Sequence, residues 1–149
     1  ASAAWNLSDL LFAAGDLDRA DELLVRAYAG ELPEGTRFVI GRAIGYQRQG
    51  DAARALRLLD AAVAARADEP EVLLFRGRYR IERGDCAGAL EDFLAAERLA
   101  PANPTAPASA AMAHLCLGNP AAARAALERS LALDPAQPRV RELLARTGG

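Results

Sequence analysis

The sequence predicts an all-α chain of four antiparallel helix hairpins in series, closed by a short final helix. Three observations carry this. Gly-Asp or Gly-Asn pairs recur as Gly15-Asp16, Gly50-Asp51, Gly84-Asp85 and Gly118-Asn119, at intervals of 35, 34 and 34 residues. Fixed offsets after each glycine then hold a residue type. Five residues on stands Ala20, Ala55, Ala89 or Ala123; nine on, Leu24, Leu59, Phe93 or Leu127; twelve on, Ala27, Ala62, Ala96 or Ser130. Pro70, Pro104 and Pro138 keep the same spacing of 34, as do Pro101 and Pro135. A period of this length marks a supersecondary unit that buries its apolar face by stacking on its neighbours.

The elements follow in order. Each glycine supplies the backbone angles that end a first helix, and the following Asp or Asn caps the second. The first helices are expected over 2–14, 36–49, 70–83 and 104–117, and the second over 18–30, 52–66, 86–99 and 120–133. Small columns let paired helices approach, and the Leu/Phe column fills the groove between them. Pro70, Pro104 and Pro138 sit in first turns, where a missing N–H is tolerated. The repeats run about 1–34, 35–69, 70–103 and 104–137. Repeat one ends irregularly at Gly30-Glu31-Leu32-Pro33-Glu34-Gly35, which accounts for its extra residue. A capping helix over 137–146 covers the last open flank with Val140, Leu143 and Leu144, leaving Arg139, Arg141, Glu142 and Arg146 in water. No comparable cap precedes Ala1, and the chain does not open on Met, so a longer parent protein is expected.

Composition narrows the function. The 149 residues suit a single domain with a substantial core. The 18 basic residues, all Arg, stand against 20 acidic ones, a net charge of −2. That balance lacks the clustered cationic excess of a nucleic-acid footprint. No apolar run reaches membrane-spanning length, and no signal peptide is visible. Arg without Lys, with abundant Ala, reads as the coding bias of a GC-rich, bacterial genome. Cys86 and Cys116 are too few for a disulfide framework and lack metal-ligand spacing. They are read as fillers of small apolar positions, a bridge between them being the less favoured alternative.

These columns resemble the tetratricopeptide repeat over about residues 1–135. Repeat three matches best, through Gly77, Gly84-Asp85, Ala89, Phe93, Ala96 and Pro101. Repeat two keeps the family's tyrosine as Tyr46; repeat four departs, with Pro107 near its start and His114 in the tyrosine column. The resemblance implies a right-handed α–α superhelix (a solenoid) whose first helices line a concave groove that holds a partner peptide or helix. Projected here, the candidate groove residues are Trp5, Asp9, Phe12, Ile40, Ile44, Gln47, Arg48, Leu74, Arg78 and Met112, with Trp5, Arg48 and Arg78 as anchors; Ile81, Ala108 and Leu115 share their helices. Apolar residues at this spacing are also what a core requires. The family's clamp for chaperone carboxylates needs Lys and Asn at set positions. Those positions hold Trp5, Asp9, Gly41, Glu71 and Phe75 in one register, and Ile40, Ile44, Phe75, Thr105 and Ser109 in the other. Neither supplies the clamp.

No catalytic set emerges. His114 is the single histidine, and Cys116, two residues on, points elsewhere on a helix. The glycines stand singly rather than in a phosphate loop. Asp18, Asp21 and Glu22 read as charges complementing a helix N-terminus. No cofactor and no metal is expected. The expected role is therefore an interaction scaffold for another protein or peptide. The alternatives are a regulatory or substrate-presenting domain of a larger bacterial enzyme or secretion component, and self-association into a homodimer through the first helix, with Trp5, Leu7, Leu10, Leu11 and Phe12.

Overall fold

A computed structural model describes residues 3–30 and 34–148. The described residues form helices α1 (Ala3–Ala13), α2 (Leu17–Ala29), α3 (Gly35–Arg48), α4 (Ala52–Ala65), α5 (Pro70–Glu82), α6 (Cys86–Leu99), α7 (Thr105–Cys116), α8 (Pro120–Leu133) and α9 (Pro138–Thr147), with no strand among them. The helices expected from the repeat are all present, each boundary within a residue or two. The segment 31–33, inside the irregular end of repeat one, lies outside the described residues, as do Ala1, Ser2 and Gly149. Packing groups the chain into two units, Ala1–Val72 and Leu73–Gly149, which divide within α5.

The turn inside each hairpin is built the same way four times. Gly15, Gly50, Gly84 and Gly118 adopt φ of 82°, 79°, 83° and 74°. That left-handed conformation suits glycine, because a Cβ would crowd the following carbonyl. Each glycine N–H donates to the carbonyl three residues back, and the next N–H to the one five back. Examples are Gly84 to Ile81 at 2.9 Å and Asp85 to Arg80 at 2.9 Å. This pairing satisfies carbonyls that a helix end would otherwise leave open. The following side chain then caps the second helix. Asp51, Asp85 and Asn119 accept from the N–H of Arg54, Gly88 and Ala122 at 3.0, 2.9 and 3.3 Å. Asp16 makes no such bond and lies 3.6 Å from Arg19 instead.

The small and large columns are core. Ala20, Ala55, Ala89 and Ala123 are fully buried, and so are Leu24, Leu59, Phe93 and Leu127. Ala62, Ala96 and Ser130 are buried as well, whereas Ala27 is only half-buried and its neighbour Tyr28 takes the interior place. At Gly77 a Cβ would stand 2.5 Å from the Phe93 ring, so the missing side chain sets how closely α5 approaches α6. In the second unit Val140, Leu143 and Leu144 of α9 pack on Ala111, Ala123, Ala126 and Leu127, as a capping helix should. The Gln137 amide donates to the Ser130 and Asp134 carbonyls at 3.1 and 2.8 Å, fastening the α8–α9 turn.

The cysteine reading needs correction. Cys86 and Cys116 are joined as a disulfide, their Cα atoms 6.0 Å apart. Cys86 opens α6 and Cys116 closes α7. The two helices are packed neighbours, and antiparallel packing sets the start of one beside the end of the other, within disulfide reach.

Candidate functional site

The first helices of the N-terminal unit, α1 and α3, meet through aromatic rings and one arginine. Trp5 on α1 stacks on Phe38 of α3, ring centroids 3.9 Å apart and planes 8° from parallel. The Arg42 guanidinium lies 4.5 Å from the Phe12 ring centroid and 5.6 Å from that of Trp5, within cation–π range of both. Phe12 in turn tilts against Tyr46 at 5.8 Å. Phe38, Arg42 and Tyr46 recur every four residues, so α3 turns one face toward α1.

Arg42 is buried, with 4% of its side chain exposed, and its charge is met from two helices, α1 and α2. It donates to Ser8 Oγ at 3.1 Å and to Asp21 Oδ1 at 3.5 Å, and stands 3.8 Å from Asp9 Oδ1. The Ser8 hydroxyl in turn donates a hydrogen bond to the Ala20 carbonyl at 2.8 Å. Asp21 also accepts from the Tyr46 hydroxyl at 2.6 Å and from Arg54 at 3.4 Å, and Arg54 reaches Asp18 at 2.7 Å. Burial, followed by the hydrogen bond to the Asp21 carboxylate, raises the Tyr46 hydroxyl well above the usual phenol range. The bond to Asp18 holds the Arg54 guanidinium above its ordinary value. Buried charges with this many partners fix α1, α2 and α3 in one arrangement.

The candidate groove residues take different places. Trp5 and Phe12 are half-buried and Asp9 is exposed; all three converge on Arg42. On α3, Ile40 and Ile44 are half-buried one turn apart, and Gln47 and Arg48 are exposed beyond them. Gly41 on the same helix is exposed, with open space where a side chain would stand. In the second unit Leu74 is buried, Arg78 is exposed with its guanidinium 5.7 Å over the Phe75 ring, and Met112 is 53% exposed. Met112 lines a groove of about 220 Å³ between α7 and α9, with Ala108, Ser109, Val140, Leu143 and Arg139.

Sequence reasoning passed over Arg42 and Phe38. The four-residue spacing of Phe38, Arg42 and Tyr46 was the available signal, since an arginine between two aromatic turns of one stripe faces the interior. Cys116, held by its bridge, offers no thiolate to His114. Among the described residues no group of three His, Cys, Asp or Glu is placed to hold a metal ion, and no helix is long and apolar enough to cross a membrane.

Three family models, each described as a tetratricopeptide repeat, match residues 1–26, 40–104 and 108–147. No curated protein matches the chain. Among solved structures, the chain is similar to the second TPR domain of the human RPAP3 protein in complex with the HSP70 peptide SGPTIEEVD, with 21% identity, 73% of this chain and 91% of that one covered, and a TM-score of 0.67. It is similar to the Yersinia enterocolitica type III secretion chaperone SycD in complex with a peptide of the translocator YopD, at 19% identity, 78% and 94% coverage, and a TM-score of 0.69. MamA covers most of the chain, 97% against 78% of its own length, at 16% identity and a TM-score of 0.71. Nearly the whole chain is thus matched by models of one repeat, and the glycine turns, aspartate caps and buried columns that define its hairpins stand where that repeat puts them: the chain belongs to the tetratricopeptide-repeat family.

Proposed function

We propose that this chain is a protein–protein interaction scaffold that receives a partner segment on the faces of its first helices, centred in the N-terminal unit on Trp5, Asp9, Ile44 and Arg48. The observation that carries this is the fixed aromatic–arginine constellation. Trp5 is held flat by Phe38, and the exposed Asp9 is tethered to a buried Arg42, so the surface is ordered before anything binds. Preorganised aromatic and arginine side chains are the usual anchors of interfaces. Solved structures of similar fold carry bound peptides, an HSP70 peptide on the RPAP3 domain and a YopD peptide on SycD, which supports the same use here. The role is binding rather than catalysis. The chaperone-carboxylate clamp is not the mode, because Asp9 and Glu71 stand at positions where the clamp needs cations or amides.

Gly41 gives a clean test. A side chain there meets open space, so Gly41→Gln adds bulk to the face without a clash. Proteins retained from native lysate by the wild-type chain are identified by mass spectrometry, and each is titrated against wild type, Gly41→Gln and Arg48→Ala. A partner that loses affinity for both variants, while their melting temperatures hold, supports the reading. Partners that bind all three equally place recognition elsewhere and sink it.

A second reading, self-association, has its own observation. Leu7 and Leu10 on α1 are 49% and 67% exposed, and Leu7 borders a groove with Leu11 and Leu23. A monomer by light scattering across all concentrations would exclude it.

A further inference from the structure

The Cys86–Cys116 bridge presents its two ends unequally. Cys86 is buried, with 7% of its surface exposed, whereas Cys116 is exposed. The helix ends they occupy differ as well. Cys86 is the first residue of α6, directly after the capping Asp85, and Cys116 is the last residue of α7. Open N–H groups give a helix N-terminus a partial positive charge, and open carbonyls give a C-terminus a partial negative one. A negative sulfur is therefore favoured at Cys86 and disfavoured at Cys116. Asp85 adjoins Cys86, but its carboxylate accepts from the Gly88 N–H at 2.9 Å and stands 3.7 Å from Arg80, so its charge is engaged. Thiol–disulfide exchange is fastest when the attacked sulfur is accessible and the departing one best bears negative charge. Both conditions select attack on Cys116.

We infer that Cys116 is a modification site for low-molecular-weight thiols of the glutathione class, which open the bridge by exchange. The thiol gives its proton to solvent, and its thiolate sulfur bonds to Cys116 Sγ. The bond between Cys116 and Cys86 breaks, and its electron pair leaves on Cys86 Sγ. The products are a mixed disulfide on Cys116 and a thiolate on Cys86, so one disulfide replaces another with no net oxidation. The Cys86 thiolate closes the bridge again by the reverse step, expelling the small thiol. Opening removes the cross-link between α6 and α7, and α7 carries Met112 of the candidate groove. The site does not depend on the partner-binding role proposed above.

The test uses the full oxidised chain, in which no free thiol is expected when it is counted under denaturing conditions. The folded chain is exposed to glutathione in short pulses and quenched with acid. Free thiols are then blocked with N-ethylmaleimide. Arg98 lies between the two cysteines, so trypsin separates them and mass spectrometry reads each alone. Glutathione is expected on Cys116 with maleimide on Cys86, in about tenfold excess over the reverse arrangement. In urea, where burial and helix ends are lost, the preference falls toward even. Oxidised glutathione added afterwards restores the bridge. Glutathione mainly on Cys86, or the same preference in urea, overturns the inference. So do two free thiols before treatment, a folded chain that glutathione leaves fully bridged, or reduction with no Cys116 adduct in any pulse.

Discussion

Trp5 and Phe38 stack face to face across α1 and α3, and the Arg42 guanidinium reaches the same tryptophan ring from α3. Trp5 is the only tryptophan of the chain, so its emission reports the N-terminal unit alone. Arg42→Met keeps much of the side-chain volume and removes the charge. Asp21 then loses one cation but retains Tyr46 and Arg54, so the cost is less than that of a fully orphaned buried charge, about 2 kcal/mol. Urea unfolding followed by tryptophan emission should show the midpoint falling and the emission shifting as the stack loosens. An unmoved midpoint would mean that the guanidinium does not hold these helices together.

The Cys86–Cys116 bridge closes a loop with a sequence separation of 30. Loop-closure entropy of that size is worth about 3 to 4 kcal/mol. For a chain of this length that corresponds to a loss of roughly 10 °C in melting temperature on reduction. The Cys86→Ser/Cys116→Ser double variant should melt with the reduced wild type and ignore added dithiothreitol. Equal melting of wild type with and without reductant, together with two titratable thiols before reduction, would show that the bridge does not form.

How much of this was legible depends on how local the cause is. The hairpin turns were readable because a glycine at positive φ and a capping Asp or Asn act within a few residues; the glycine recurs in all four turns and the capping bond in three. The buried Ala and Leu/Phe columns were readable because the period places them on the same face each time. The period says less about the rotation of each helix about its own axis. Leu74 and Met112 were projected onto the same groove, yet one is buried and the other about half exposed. The disulfide depends on the start of α6 meeting the end of α7, a tertiary fact that no spacing rule encodes. Arg42 was missed because an arginine reads as solvent-facing until its partners are placed, and those come from α1 and α2, at sequence separations of 34 and 21 from Ser8 and Asp21.

Gly77 sets the distance between α5 and α6. A Cβ there would stand 2.5 Å from Phe93 Cε1, too close for any real contact. Gly77→Ala gains helix propensity of about 1 kcal/mol but must displace a fully buried ring. Overpacking of that kind costs about 1 to 3 kcal/mol, so the net change is destabilising. Adding Phe93→Leu should return part of the loss, because the smaller side chain makes room. A Gly77→Ala chain that melts at or above wild type would show that α5 can shift away without cost.

Two buried tyrosines respond differently to losing a hydroxyl. Tyr28 is fully buried, its ring lies 5.1 Å beneath the Arg66 guanidinium, and among the described residues its hydroxyl completes no hydrogen bond, though the Thr36 side chain acts to lower its pKa. Burial, and then the nearby Glu69 carboxylate, push its pKa from 10.0 up to about 12. A phenol whose folded pKa is raised holds its proton longer in the folded chain than in the unfolded one. Its contribution to stability is therefore whole below pH 10 and is lost as pH rises through 12. Tyr28→Phe should leave stability at pH 7 within about 0.5 kcal/mol, since no completed hydrogen bond among the described residues is removed, and should flatten the alkaline decline. Tyr46→Phe instead removes a donor at 2.6 Å from the Asp21 carboxylate and should cost about 1.5 to 3 kcal/mol at pH 7. Melting temperatures of both variants from pH 7 to pH 12 separate the two cases. An alkaline decline as steep in Tyr28→Phe as in wild type would assign it to other groups, with Tyr46 and the arginine pairs the first to examine.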